Sequence, residues 1–237
     1  MTTLYPGNIL PTLYWPFPVE RLGVALYSTR FIPTLLTAAD FDCLDMALPP
    51  SLLKAVPKRQ TEFLAGRLCA RASLAETTGA VQTPHVGKDR APVWPRGFCG
   101  SITHSHGWAG AATAATRHWQ SIGLDAETLL APGRAARLAS EVLTPREHES
   151  PDAETAFYVT AVFSLKESLF KALYPLTGVR FYFQDAELVE WDPSGHARLR
   201  LAKTLSPCWQ KGRELEAVHV LEEQRFLSMI RVPAAGI

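Results

Sequence analysis

Two long helical patterns, one in each half of the chain, constrain the fold more than any other feature of the sequence. They cover residues 51–78 and residues 155–174. Pro57 is suited to the first turn of a helix, and Pro175 is expected to end the second helix. Apolar side chains recur at core spacing in both: Phe63, Ala70 and Leu74 in the first, and Val162, Leu165, Leu169, Ala172 and Leu173 in the second.

Strand patterns surround both helices. Residues 100–115 predict a strand, a tight turn and a second strand, and residues 121–129 alternate as a further strand. Each half of the chain therefore supplies one long helix and several strands, which predicts an α+β protein. We expect two α/β halves, residues 1–118 and 119–237. Four other segments complete the pattern: an irregular loop or edge over 86–95, a helix with polar faces over 131–150, a hairpin around 192–195, and a strand-like tail from 219 to 232.

The composition is that of a folded globular protein. Of 237 residues, 47% are hydrophobic and 20% are charged, and the net charge is +1. Such a small charge gives no molecule-wide field to attract nucleic acid or a membrane, so neither is expected as a partner. No apolar run reaches the length of a membrane span, and the first residues lack the pattern of a signal peptide. Cys43, Cys69, Cys99 and Cys208 fit no zinc or CxxC spacing. We therefore expect a cytoplasmic protein with reduced cysteines.

Asp125 and Glu127 form the first candidate site. They stand two apart in a predicted strand, so both side chains lie on one face, which Gly123 shares. Two adjacent carboxylates repel each other, and a divalent cation would remove that conflict. Oxygen ligands that leave other positions open suit Mg²⁺. The alternative is an ordinary solvated strand face.

Glu167 and Lys171 form the second candidate site. They lie one helical turn apart, on a different face from the apolar residues of the second helix. Glu167 could bind the metal and Lys171 a phosphate. The alternative is a surface salt bridge, which contributes little to stability.

A turn rich in histidine supplies a third candidate. Thr103, His104, Ser105 and His106 are predicted to form the turn that closes a hairpin beside Gly107. An imidazole there could donate a hydrogen bond to phosphate or act as a base. Two alternatives stand beside this interpretation: a purely structural turn histidine, and a zinc site formed by His104 and His106.

The order of these motifs resembles the phosphopantetheinyl transferase superfamily, in its surfactin- and enterobactin-synthetase type. The strand motif is Gly123-Leu124-Asp125-Ala126-Glu127, and the helix motif runs from Phe163 to Lys171 as FSLKESLFK. Phe163 stands where tryptophan is commoner. Thr103-His104 matches the family's turn, and the upstream segments EFLAGR and GKDRAPVWP resemble the broad-specificity bacterial members.

The resemblance implies a pseudo-two-fold pair of α/β halves that works as a monomer, with coenzyme A between the halves. It also implies Mg²⁺-dependent transfer of 4′-phosphopantetheine from coenzyme A to a serine of apo acyl or peptidyl carrier proteins. The other product would be adenosine 3′,5′-bisphosphate, and Mn²⁺ is an alternative metal. The carriers could serve fatty-acid, siderophore and other nonribosomal peptide, or polyketide synthesis.

The resemblance assigns roles residue by residue. Asp125, Glu127 and Glu167 would bind the metal; Glu167, Lys171 and Asp125 would be catalytic; and Arg59, Arg67, Lys88, Arg90, Thr103, His104 and Lys171 would contact coenzyme A. Lys166 points about 100° away from Glu167 on a helix and ranks below Lys171. Lys88 matches the family's Gly-Lys-Pro position loosely, because Asp89, Arg90 and Ala91 intervene before Pro92.

Two other functions are compatible with parts of the pattern. A Mg²⁺-dependent phosphoesterase could use the same carboxylates, release its product to water and need no carrier protein. A non-catalytic carrier-binding module would need neither Asp125 nor Glu127.

Overall fold

The computed structural model describes residues 9–234, which form two compact α/β units. The first unit contains the described part of residues 1–15 together with Arg21–Ala115. The second contains Pro16–Glu20 and the described part of residues 116–237. The α+β prediction is confirmed, but the short segment Pro16–Glu20 groups with the second unit, which a division at residue 118 did not anticipate. Residues 1–8 and 235–237 of the predicted halves lie outside the described residues.

The first unit is an antiparallel sheet covered by one long helix. The strands of the sheet are β1 (Thr12–Leu13), β2 (Ala25–Arg30), β5 (Phe98–Ser105) and β6 (Trp108–Ala115). Helix α1 (Ala38–Asp42), helix α2 (Pro57–Thr78) and the small hairpin of β3 (His85–Val86) and β4 (Pro92–Val93) complete the unit. The sheet has the strand order β1-β2-β6-β5, and helix α2 packs on β6, β2 and β5.

Helix α2 begins at Pro57, as predicted, and ends at Gly79, whose φ of 73° is a left-handed helix cap. The helix does not reach back to residue 51. Val56 is extended because the residue before a proline is disfavoured in the helical region, and residues 50–52 form a separate 3₁₀ turn.

The second unit repeats this plan with a larger antiparallel sheet. The strands are β7 (Trp119–Thr128), β8 (Ala186–Trp191), β9 (His196–Leu201), β10 (Glu214–Glu222) and β11 (Arg225–Pro233). The helices are α3 (Pro132–Val142) and α4 (Ala156–Thr177). The strand order of the sheet is β7-β11-β10-β9-β8, and helix α4 packs on β7 and β11. Like α2, α4 is 22 residues long.

Helix α4 differs from the prediction at its C-terminal end. Thr155 caps its N-terminus, where its hydroxyl accepts a hydrogen bond from the Tyr158 backbone N–H at 3.1 Å. The helix then passes through Pro175 and ends at Gly178, which has a φ of 65°. The predicted end at Pro175 was wrong, because the proline falls in the last turn and glycine supplies the left-handed cap.

Helix α3 is also shorter than the predicted helical segment, residues 131–150. It ends at Val142, and only Glu147–Glu149 form a further 3₁₀ turn. Among residues 9–234, no helix is both long and apolar enough to cross a membrane.

Candidate active site

Strand β7 presents the two predicted carboxylates on the side of the sheet that α4 covers. Asp125 is 3% exposed and Glu127 is half-buried. Ile122, Leu124 and Ala126 alternate with them and are fully buried on the other face. The alternation predicted from the sequence is therefore correct, and the face is not a solvated one.

Gly123 lets α4 approach β7 very closely. A Cβ atom at this position would lie 1.8 Å from the Ser168 carbonyl oxygen and 2.7 Å from the Ala172 backbone nitrogen. Only glycine leaves room for the backbone of α4 here. Gly123 shares the face of the two carboxylates, as predicted, and the structure shows that α4 fills the space beside it.

Lys171 reaches from α4 to the buried carboxylate of Asp125. Its Nζ donates to Asp125 Oδ1 at 2.7 Å and to the Leu124 carbonyl oxygen at 3.1 Å. The Lys171 side chain is 26% exposed and that of Asp125 is 4% exposed. The alternative interpretation, an i,i+4 surface pair with Glu167, is thus replaced by a largely buried pair between Lys171 and the sequence-distant Asp125.

The pKa values of Glu127 and Glu167 are both raised in this cluster, and the negative charge of Asp125 contributes to each. The pKa of Glu127 is raised to about 7, chiefly by burial and also by the charge of Asp125, while Lys171 and Arg134 act in the opposite direction. Burial also raises the pKa of Glu167; Lys171 opposes this and Asp125 adds to it. The three carboxylates and Lys171 therefore lie within electrostatic range of one another.

The donor set of this cluster suits a hard cation. Among residues 9–234, no three His, Cys, Asp or Glu side chains already converge tightly enough to enclose a metal ion. Lys171 holds one oxygen of Asp125. Carboxylates whose pKa values are raised by burial and by one another's charge are nevertheless what a divalent cation would stabilise. Mg²⁺ commonly takes one or two carboxylates together with phosphate oxygens and water.

Lys166 has a different environment from Lys171. Its Nζ donates to Glu147 Oε2 at 2.6 Å and to the Val142 carbonyl oxygen at 2.8 Å, and both charged side chains are almost completely buried. Glu147 also accepts the Leu188 backbone N–H at 2.6 Å. This pair ties α4 to the segment after α3 and to β8, so Lys166 stabilises the position of the helix.

In the first unit, the structure brings Arg59 and His104 together. Arg59 Nη1 lies 2.7 Å from His104 Nε2, and Glu62 Oε2 lies 3.4 Å from Arg59 Nη1 and 3.8 Å from His104 Nδ1. Lys58 Nζ is 3.9 Å from the other oxygen of Glu62. Arg59 is half-exposed and His104 is one-third exposed, so this cationic cluster is accessible to an anion.

Thr103 does not share a face with His104. Both lie inside β5, not in the turn, which His106 and Gly107 form with φ angles of 36° and 73°. Neighbouring strand residues point to opposite faces, and Thr103 is 3% exposed. The predicted pair therefore cannot present both side chains to one ligand from the same face of the sheet.

Arg67 is buried, unlike Arg59. Its Nη1 donates to the Pro84 carbonyl oxygen at 2.6 Å and to the His85 carbonyl oxygen at 3.3 Å, and its guanidinium lies 5.3 Å from the ring centre of Phe63. Burial lowers its pKa to about 10. These contacts anchor the start of the β3–β4 hairpin.

Lys88 and Arg90 are exposed at the tip of that hairpin. The Gly87 backbone N–H bonds the Ala91 carbonyl oxygen at 2.8 Å, and Arg90 adopts a left-handed φ of 72°. The segment is thus an ordered turn between two short strands, in agreement with the predicted loop or edge, and Arg67 fixes its base.

Sequence reasoning missed three residues that the structure adds to these clusters. Arg134 of α3 acts electrostatically on Glu127, Glu62 joins Arg59 to His104, and Ser228 lies opposite Asp125 in the β7–β11 ladder. Glu62 stands three residues from Arg59, a spacing that could have suggested their pairing. No local pattern marks Arg134 or Ser228.

The site combines carboxylates on a strand with an ammonium group from the helix packed against it. Metal-dependent phosphate chemistry uses such groups, the carboxylates to bind the metal and the ammonium group to balance phosphate charge. Two family models match the chain. The model for the 4′-phosphopantetheinyl transferase N-terminal domain matches residues 49–114, and that for the 4′-phosphopantetheinyl transferase superfamily matches residues 121–224. The chain belongs to the 4′-phosphopantetheinyl transferase superfamily, which confirms the family predicted from the motifs.

Several curated relatives are similar over much of the chain. The 4′-phosphopantetheinyl transferase Svp of Streptomyces mobaraensis is 40% identical over 155 residues, which are 62% of this chain and 61% of the relative. Enterobactin synthase component D of Escherichia coli (strain K12) is 38% identical over 57% of this chain and 64% of its own length. The 4′-phosphopantetheinyl transferase PptT of Mycobacterium tuberculosis is 33% identical over 62% of this chain and 65% of its own length. The matches thus span about three-fifths of the relatives' length.

Proposed function

We propose that this protein transfers 4′-phosphopantetheine from coenzyme A to a serine of an apo carrier protein. The observation that carries the proposal is the contact of Lys171 with buried Asp125, beside two carboxylates whose pKa values are raised. The similarity of this chain to its relatives supports the proposal. These relatives include two proteins named as 4′-phosphopantetheinyl transferases and an enterobactin synthase component.

The reaction exchanges one phosphorus–oxygen bond for another. The carrier's serine Oγ attacks the β-phosphorus of coenzyme A, and the bond from that phosphorus to the bridging oxygen breaks. The electron pair leaves on adenosine 3′,5′-bisphosphate, and the carrier gains the phosphopantetheine. Such reactions depend chiefly on positioning and charge stabilisation.

Asp125, Glu127 and Glu167 would hold Mg²⁺, with Mn²⁺ as an alternative. When bound, the ion neutralises charge on the diphosphate. Glu167 would take the proton of the attacking serine, a role suited to a carboxylate whose pKa is raised towards neutrality. Lys171 would move its ammonium charge towards the leaving phosphate, where negative charge develops.

The cations of the first unit would bind the phosphates of coenzyme A. Arg59 and His104 are the best supported, because their side chains meet and are accessible. Lys88 and Arg90 are exposed and charged, which fits a phosphate contact. Buried Arg67 would act mainly by holding their hairpin, and Thr103, which is buried on the opposite face of β5, would act by holding the strand that carries His104.

The partners would be apo acyl and peptidyl carrier proteins, including those of fatty-acid and siderophore synthesis. We propose that the enzyme acts as a monomer in the cytoplasm. Neither membrane nor nucleic acid enters the reaction.

Release of adenosine 3′,5′-bisphosphate tests the proposal against a phosphoesterase. The protein is incubated with coenzyme A and Mg²⁺, with and without an apo carrier, and the nucleotide is measured by chromatography. A transferase releases the nucleotide only when the apo carrier is present, in equal amount to the carrier modified. Release without any carrier would establish a phosphoesterase, and no release with fatty-acid, peptidyl or polyketide carriers would favour a binding module.

A further inference from the structure

Three serine hydroxyls meet at the buried junction of α4 and β11. Ser228 Oγ lies 2.9 Å from Ser164 Oγ and 2.8 Å from Ser168 Oγ. Ser228 Oγ also donates to the Ser164 carbonyl oxygen at 2.9 Å, and Ser168 Oγ donates to the Ser228 carbonyl oxygen at 3.0 Å. All three residues are 0% exposed. We name Ser164, Ser168 and Ser228 the serine junction.

The serine junction satisfies its own polar groups. In one consistent assignment Ser228 donates to the Ser164 carbonyl oxygen, Ser168 donates to the Ser228 carbonyl oxygen, and Ser164 donates to Ser228 Oγ. Each hydroxyl proton is used once. Buried hydroxyls are stable only when they are bonded in this way, so the three residues depend on one another.

The serine junction lies beside the proposed catalytic residues. In the antiparallel ladder Ser228 is directly opposite Asp125, so both side chains point towards α4. Ser164 and Ser168 are one turn apart on α4, and Lys171 lies two turns beyond Ser164, so the three side chains form one stripe along the helix. Glu167 precedes Ser168 in sequence and lies at the edge of this stripe.

Directional bonds on this stripe resist rotation of α4 about its axis. Apolar packing is non-directional and tolerates small rotations, whereas hydrogen bonds weaken steeply when their geometry changes. A displacement of about 1 Å at a reacting group can lower a rate on the order of 100-fold. The rotation of α4 decides where Lys171 and Glu167 stand relative to Asp125.

We propose that Ser228 is a positioning residue for the reaction: through Ser164 and Ser168 it fixes the rotation of α4 over β7. This inference rests on the proposed function. Ser228 itself touches no reacting atom. It lies outside both motifs that suggested the family, about 60 residues from Ser168 in sequence.

The Ser228→Ala variant tests this role, with Ser73→Ala as the matched control. Ser73 is also 0% exposed and joins a helix to a sheet, with its hydroxyl 2.7 Å from the Ala25 carbonyl oxygen and 2.6 Å from Thr113 Oγ1. We expect Ser228→Ala to lower kcat about tenfold or more while KM for the carrier changes less than about threefold. Ser73→Ala should lower the melting temperature similarly and leave kcat within about twofold of the wild type. Equal effects on kcat in both variants would overturn the proposal.

A triple variant separates positioning from stability. Replacing Ser164, Ser168 and Ser228 together by alanine leaves no buried hydroxyl without a partner, so part of the melting temperature lost in Ser228→Ala should return. If the junction positions α4, kcat stays low despite the recovered stability. If kcat recovers together with stability, the junction is merely structural and the proposal fails.

A structural measurement keeps this inference separate from the proposed function. In a crystal structure of Ser228→Ala, we expect the Lys171 Nζ–Asp125 Oδ1 distance, 2.7 Å here, to exceed about 3.5 Å in at least part of the molecules. An unchanged distance with unchanged kcat would refute the positioning role. If the wild-type protein transfers nothing while the distance does change, the proposed function fails and the effect of Ser228 on α4 stands.

Discussion

At the scale of single residues, the charges around Asp125 are only partly balanced. Lys171 compensates one carboxylate directly, yet burial and neighbouring charge still raise the pKa of Glu127 and of Glu167. Arg134 acts on Glu127 from α3 in the opposite direction. The cluster therefore carries an excess of negative charge that another cation would relieve.

Replacing Lys171 by alanine should abolish transfer and preserve the fold. The variant loses the ammonium group that would stabilise the leaving phosphate, so kcat should fall about 100-fold or more. Lys203→Ala is the control, because Lys203 also pairs with an aspartate of the same unit, Asp185, at 3.4 Å, but is about half-exposed. It should keep kcat within about twofold.

The far-UV circular dichroism and melting temperature of both variants complete that test. An unfolded Lys171→Ala protein would show that the Lys171–Asp125 pair serves stability first. A folded Lys171→Ala protein with normal turnover would remove Lys171 from the reaction.

The raised pKa of Glu127 predicts how stability changes with pH. A carboxyl group with a pKa near 7 in the folded protein and about 4.5 when unfolded binds its proton more tightly in the folded state. The free energy of unfolding of the metal-free protein should therefore fall as pH rises from about 4.5 to about 7. Glu127→Gln should remove part of this fall and stabilise the protein at pH 8 by on the order of 1–2 kcal/mol.

Urea unfolding in EDTA at pH 5 and pH 8 measures this effect. Glu190→Gln, at an exposed glutamate paired with Arg198, is the control and should not flatten the pH dependence. A wild-type protein that gains stability between these pH values while Glu127→Gln does not would contradict the charge conflict described for β7.

At the scale of elements, the site depends on how closely α4 approaches β7. Alternation in β7 and helical spacing in α4 could be read from the sequence, because both follow from local periodicity. The Lys171–Asp125 contact, the Lys166–Glu147 pair and the serine junction could not, because each joins residues at least 19 apart in sequence whose meeting is decided by packing. The same limit explains why Arg67 was grouped with Arg59, although one is buried and the other exposed.

The ends of the helices and strands were harder to predict from the sequence than the presence of those helices and strands. Pro175 indicated a helix end that Gly178 actually provides, and the helical segment after β7 stops at Val142. Thr103 and His104 were placed in a turn, but β5 extends through both and separates their side chains. For α4 the glycine cap lies one turn beyond the local signal, and for β5 the pairing with β6 continues as far as Ser105, past both residues.

Gly123→Ala should disrupt the approach of α4 to β7. The added methyl group would lie 1.8 Å from the Ser168 carbonyl oxygen, so the helix must move. We expect a loss of roughly 3 kcal/mol in the free energy of unfolding and a fall in kcat of about 100-fold or more. Denaturant unfolding and steady-state kinetics measure the two effects.

Gly133→Ala provides the comparison within the same unit. Gly133 lies in the first turn of α3, and the nearest atom to an added Cβ would be the side-chain Nη1 of Arg137 in the same helix, at 3.9 Å. This substitution should be neutral or stabilise by up to about 1 kcal/mol, with turnover retained. If Gly123→Ala were tolerated as well as Gly133→Ala, the close packing would have no role in the reaction.

At the scale of the whole molecule, the chain repeats one plan twice: a 22-residue helix packed on an antiparallel sheet. The α+β class and the presence of two α/β units could be predicted, because each half carries its own helical and strand periodicity. The grouping of Pro16–Glu20 with the second unit could not, since a short extended segment has no periodicity that reveals where it packs.

The mass of a carrier protein gives the most direct test of the central proposal. Purified protein, coenzyme A, Mg²⁺ and an apo carrier are mixed, and the carrier is weighed by mass spectrometry and its modified residue mapped. We predict that one phosphopantetheine is added to one serine, and that EDTA or the Glu167→Ala substitution prevents it. An unchanged mass for fatty-acid, peptidyl and polyketide carriers alike, or a gain that persists in Glu167→Ala, would contradict the proposed function.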